Sequence, residues 1–259
     1  MIAQFLRHSQ HFAVRDLRAL LRQPIWIGVT LVQPVIWLLL FGSLFESVIE
    51  IPGFSSDNFI QFIAPGVVMF TAFFSAGWSG MEIIQEIDRG VVDRFLVSPM
   101  QRLALIAGRL AQGTVTIVIQ SLIIVVLAII VGAEFANGIG GVLVMLALAG
   151  LIGAGFGALS NALALVIRRE ESLIGAVTFI QLPLAFLSTT FMQKDLMPGW
   201  MQTAADINPL NWAVESGRAA VSPSPDWGDI AIHTGLLAAF LGLGAFLAVR
   251  AFRSYQASV

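Results

Sequence analysis

Few side chains in this sequence have the type and spacing to do chemistry. There is no cysteine, which removes disulfides, redox dithiols and thiolate metal sites. The histidines are His8, His11 and His233. His8 and His11 stand three apart, on one face of a helix, but no carboxylate or third histidine lies beside them to complete a metal site. Gly77-Trp78-Ser79-Gly80 has a Gly-x-Ser-Gly form that can present a serine nucleophile, with His233 in a later apolar run. Ser79 falls near the inner end of its run and His233 near the outer end of its own. At 1.5 Å per residue their depths differ by roughly 20–25 Å, whereas a Ser–His pair needs about 3 Å. Lys194 is the only lysine, and no Gly-x-x-x-x-Gly-Lys-Ser/Thr run is present, so a Walker-type phosphate loop is absent. No catalytic residue and no metal ligand is assigned.

Composition then sets the class. The 259 residues are 57% apolar and 12% charged, against about 25% charged in soluble domains. Lipid must be the solvent for much of the chain. Apolar runs at about 25–46, 59–81, 103–132, 139–167, 173–192 and 229–249 predict an all-α, polytopic membrane protein with six transmembrane helices. Pro34, Pro65 and Pro183 lie inside these runs, where neighbouring helices must satisfy the freed carbonyls. Polar residues within the spans are Gln33, Gln120, Ser160, Asn161 and Gln181. Gln33, Gln120, Asn161 and Gln181 are candidates to line a substrate path; interhelical hydrogen bonding explains such residues equally well. Gly153-x-x-x-Gly157 permits close helix packing. The acids cluster at span ends, which counts against an ion-coupled secondary transporter. A non-transporting membrane assembly protein is the other alternative.

Charge sets orientation. Arg7, Arg15, Arg18, Arg22, Arg89, Arg94, Arg102, Arg109, Arg168, Arg169, Arg250 and Arg253 fall on one side; Lys194 and Arg218 fall on the other. That asymmetry places both termini in the cytoplasm of a bacterial-type inner membrane. The first apolar run lacks a small-residue cleavage site and is expected to be retained. The whole chain, 1–259, reads as one transmembrane domain: an N-terminal amphipathic helix (1–24), five spans (25–192), an outer segment (193–228), and the sixth span with its tail (229–259). Residues 2–22 put Arg7, His11, Arg15, Arg18 and Arg22 on one face and apolar residues on the other, suiting a helix at the inner interface among lipid headgroups. It is a topology anchor, or a strut that also touches a cytoplasmic partner. In the outer segment, Glu215 and Arg218 are three apart and suited to pair.

The loop at 82–102 carries the most specific pattern. Gly90 can stop a helix. Ser98 is an N-cap, Pro99 suits the first helical position and Gln101 sits at a capping-box position, so a helix starts there and runs without a spacer into the third span. Val91 to Val97 remain as a short cytoplasmic helix exposing Val91, Val92, Phe95 and Leu96 beside Asp93 and Arg94. Apolar atoms flanked by charges suit a docking surface, or a short interfacial turn resting on lipid.

The run DRGVVDRFLVSPMQRLALIAGRL (88–110) resembles the loop of type-2 ATP-binding-cassette exporter permeases, in which a charged cluster, a Gly, a short Leu-rich coupling helix and a Ser/Thr-Pro lead into the third span. INPLNWAVESGRAAV (207–221) is similar to that family's second signature, before the last span. Trp212 stands where Tyr is common, and Phe95-Leu96 where Leu-Leu is usual. The drug-efflux branch with daunorubicin-type permeases looks closest. The resemblance implies a transport subunit that is no enzyme itself and holds no cofactor. A separate nucleotide-binding ATPase subunit would carry ATP and Mg and dock on Gly90, Val91, Val92, Asp93, Arg94, Phe95, Leu96, Val97, Ser98 and Pro99. A second copy or a related permease would complete the pathway. The segment 193–228 would form a re-entrant helical pair at the outer mouth. The cargo would be a drug-like, lipid or other amphipathic molecule; membrane lipid is a partner and nucleic acid is not.

Overall fold

The computed structural model describes residues 32–45, 47, 58–89 and 102–256, without the side chains of 102–107 and 109. The expected amphipathic helix at 1–24 and the coupling segment Gly90 to Pro99 lie outside the described residues. No strand occurs among the described residues.

Helix α1, Val32–Leu44, is apolar and contains a π-helical turn over Trp37–Phe41. Helix α2, Phe59–Gly77, starts at Asn58, whose side chain accepts from the amides of Ile60 and Gln61. That bond satisfies two donors that a helix start leaves open. After Trp78 the chain resumes as α3, Ser79–Asp88. Helix α4 is Arg102–Ile130, α5 is Gly138–Ile167 and α6 is Glu170–Phe186. Arg168 turns into the left-handed region (φ 56°) to end α5 and allow the reversal into α6. Helices α7, Gly199–Asp206, and α8, Pro209–Val221, are short; α9 is Trp227–Gln256.

Four stretches are long and apolar enough to cross a membrane: 59–88, 110–130, 138–167 and 227–256. They correspond to the second, third, fourth and sixth expected spans. Of the first, the described part is α1. The fifth, expected over 173–192, is the 17-residue α6, which ends at Phe186. Its polar Ser188-Thr189-Thr190 continuation leaves the helix. The Ser188 hydroxyl bonds back to the Ala185 carbonyl at 2.7 Å, and side chains from α8 take over the remaining backbone groups.

Helix α5 is the hub, packed by α2, α3, α4, α8 and α9. Phe73 and Phe156, both fully buried, meet with ring centroids 4.4 Å apart. A side chain at Gly244 on α9 would stand 2.8 Å from the Gly155 carbonyl of α5, and one at Gly155 would stand 2.7 Å from the Phe240 ring of α9, so glycine at both positions permits the close approach. Gly153 and Gly157 face α4 and the α2–α3 junction, so this glycine pair serves packing within the chain. In lipid such contacts stabilise by dispersion and shape fit rather than by exclusion of water. Outward faces carry large apolar side chains, such as Phe179 at 79% and Ile130 at 75% exposure, as lipid or a partner chain requires.

Candidate functional site

The Gly-Trp-Ser-Gly run is a helix break. The Trp78 amide bonds to the Ser75 carbonyl and the Met81 amide to the Trp78 carbonyl, three residues back instead of four. The Phe74 and Gly77 carbonyls thereby lose their usual helical partners. Side chains from two other helices supply donors. Gln181 of α6 places Nε2 2.8 Å from the Phe73 carbonyl and 3.4 Å from that of Phe74. Ser160 of α5 donates to the Gly77 carbonyl at 2.5 Å and accepts from the Gly80 amide at 3.2 Å. The glycines make this possible: a Cβ on Gly77 would sit 2.5 Å from the Gln181 amide, and one on Gly80 2.6 Å from the Ser160 carbonyl. Ser79 donates toward the Gly157 carbonyl and Asn161 Oδ1, both at 3.2 Å. His233 pairs with Ser216 at 3.1 Å, so the structure keeps Ser79 and His233 in separate bonds.

Beside this break, α2–α3, α4 and α5 enclose a cavity of about 230 Å³ in the half of the bundle nearer Asp88 and Arg102. Its lining includes Ser75, Trp78, Ser79, Gly113, Gln120 and Asn161. The Ser75 hydroxyl donates to Gln120 Oε1 at 2.9 Å. Of the candidate path residues, the structure brings Gln120 and Asn161 together at this cavity. Gln181 is buried against the break instead, and Gln33 is exposed on α1. Ser160 likewise holds the break. Sequence reasoning passed over Ser75 and Gly113 and weighed Ser79 only as a nucleophile; the signal was Ser75 standing one helical turn before Ser79 of the Gly-Trp-Ser-Gly run.

At the opposite end, the Asn208-Pro209-Leu210-Asn211 motif binds the end of α6. Asn208 caps α8 by accepting from the Leu210 amide at 3.0 Å, and its Nδ2 donates to the carbonyls of Leu184 and Leu187 at 2.6 and 3.0 Å. Asn211 Oδ1 accepts from both the amide and the hydroxyl of Thr189. Arg218 makes its hydrogen bonds to backbone carbonyls rather than to Glu215, the partner its spacing suggested. Nη2 donates to Thr189 at 2.9 Å and Nε to Phe62 at 3.2 Å, with the guanidinium 3.8 Å from the Phe62 ring centroid. The unwound backbone after α6 leaves carbonyls that a planar fork of donors satisfies better than a carboxylate attracts it. Lys194 pairs with Asp206, whose hydrogen bond and charge hold the ammonium above its ordinary pKa. Both partners are substantially exposed, so the pair adds little stability.

Arg218→Leu should remove about 2–4 kcal/mol of stability, because it strips donors from buried carbonyls. Arg218→Lys should recover only part of that loss, since an ammonium cannot span the same acceptors. Thermal unfolding of the detergent-solubilised chain measures both, and an unchanged midpoint for Arg218→Leu would contradict the assignment.

The profile of the ABC-2 type transporter family matches residues 9–221, which include both signature stretches. The daunorubicin resistance ABC transporter permease protein DrrB1 of Streptomyces coeruleorubidus is 26% identical over 243 residues, covering 94% of this chain and 85% of that relative. The ycf38 transport permease of Cyanophora paradoxa is 30% identical over 204 residues, covering 78% of this chain and 70% of that relative. The ycf38 protein of Pyropia yezoensis is 27% identical over 253 residues, with 88% and 85% covered. A bundle of apolar helices around α5, the Asn-Pro-Leu lock on α6 and a family match over most of the length agree, and the chain belongs to the ABC-2 type transporter family, as the membrane-spanning permease component of an ABC transporter.

Proposed function

We propose that this permease exports a drug-like, lipid or other amphipathic molecule from the cytoplasm, driven by ATP hydrolysed on a separate nucleotide-binding subunit. The observation that carries the reading is the family match over residues 9–221, supported by a relative named for daunorubicin resistance. The ATPase would hold ATP and Mg, because this chain has no Walker-type loop. It would grip Gly90 to Pro99, and the stiff join into α4 would carry its closure into the membrane. The apolar runs support six spans and the arginine asymmetry supports cytoplasmic termini, with α1 and α6 as the first and fifth crossings beside the four crossing-length helices. Helices α7 and α8 would form the re-entrant outer pair. Two permease chains, identical or related, would enclose the pathway in a plasma membrane of bacterial type.

The test is transport in inside-out vesicles holding the chain and its co-purified ATPase. A fluorescent cationic amphiphile should accumulate with ATP and not with a nonhydrolysable analogue. Accumulation driven by a proton or sodium gradient without ATP would overturn the proposal in favour of ion coupling.

A further inference from the structure

Cavities in a membrane bundle are ordinarily apolar or filled by partners for their polar groups, because an open donor is costly where water is scarce. The cavity beside the helix break departs from this. Gln120 is 6% and Asn161 2% exposed, so both side chains are more than nine-tenths buried. In each, the carboxamide oxygen is engaged by a serine of the α2–α3 strand of helix: Ser75 for Gln120, Ser79 for Asn161. The amide nitrogens, Gln120 Nε2 and Asn161 Nδ2, have no hydrogen-bond partner among the described residues, yet they are not sealed off as buried unsatisfied atoms. Both residues line the 230 Å³ cavity. Trp78, 45% exposed, supplies an aromatic wall. On α4, Gly113 leaves room: a Cβ there would meet nothing within 4 Å.

We infer that this cavity is a binding site for the hydrogen-bond-accepting end of an amphiphile, a carbonyl-type oxygen on an apolar or aromatic body. The two amide N–H groups would donate to the oxygen, and Trp78 would cover the apolar part. The size agrees with an end group. Sites that swallow a whole drug-sized ligand run to about 300–1,000 Å³, so here the remainder of the molecule would lie outside, along the bundle surface. That the ligand is cargo rests on the permease reading; that the site binds it does not.

The probe is benzophenone, which carries one carbonyl between two rings and attaches to nearby C–H bonds on illumination. The full chain in lipid nanodiscs, without ATPase, is photolabelled and the adducts are located by peptide mass spectrometry. Adducts should concentrate on Trp78 and on α4 around Gly113. Gln120→Leu with Asn161→Leu should lower labelling there about tenfold, the loss of two neutral hydrogen bonds at a desolvated site. Should that double variant fail to fold, Gly113→Leu serves instead: its Cβ meets nothing within 4 Å, and the larger side chain beside the cavity should lower labelling as far. Fluorenone should compete, and fluorene, which has the same rings without the oxygen, should not. Adducts spread over the outward faces, equal competition by fluorene, or undiminished labelling in Gly113→Leu would each overturn the inference. Because no ATP is involved, failure here leaves the transport test standing, and failure of ATP-driven transport leaves the labelling result standing.

Discussion

Phe95→Asp together with Leu96→Asp should abolish ATP-driven transport while leaving the chain folded in the membrane. Two apolar side chains beside Asp93 and Arg94 would supply the buried centre of the docking surface. Interface centres of this kind lose about 2 kcal/mol or more per residue when truncated, and a buried, unpaired carboxylate costs further. The combined change is expected to weaken capture of the ATPase by about a thousandfold or more. Phe95→Leu keeps the apolar volume and should retain most coupling. The measurements are co-purification of the ATPase and vesicle transport on the same variants. Intact complex formation and undiminished transport in the double aspartate variant would remove the docking role from this segment.

The second large effect concerns the helix break, where two glycines in one short run should respond unequally. Alanine normally favours a helix over glycine by about 1 kcal/mol. At Gly80 the new methyl meets the Ser160 main-chain carbonyl, which cannot move without displacing α5. Gly80→Ala should therefore destabilise by about 3 kcal/mol, at the upper end for overpacking. At Gly77 the obstacle is the end of the Gln181 side chain, which can swing away. Gly77→Ala should cost about 1–2 kcal/mol, chiefly the lost bonds to the Phe73 and Phe74 carbonyls. Adding Gln181→Ala to Gly77→Ala should relieve the clash and cost little more than either change alone. Thermal midpoints in detergent give the ranking; equal tolerance of alanine at both glycines would refute the tight α3–α5 contact.

The helices themselves were legible because lipid enforces a simple rule. A run of some twenty apolar residues must satisfy its own backbone, so α5 and α9 begin within two residues of where hydropathy alone put them. The end of α6 was not legible in the same way. Leu187, Phe191 and Met192 are apolar enough to prolong a span, yet the helix stops at Phe186 because Asn208, Asn211 and Arg218 bind the backbone there, from some 20 to 30 residues downstream. No local pattern announces such a donor. The same reason made Gln181 misleading: a glutamine in an apolar run reads alike whether it lines a path or mends a helix.

By itself the sequence determined the solvent, the helical class and the identity of the two signature stretches, all of which depend on residue type and local period. The tertiary structure alone decided which polar residues share a space. Gln120 and Asn161 meet at one cavity while Gln181 and Ser160 close a break, because the fate of a buried donor depends on which acceptor another helix brings to it.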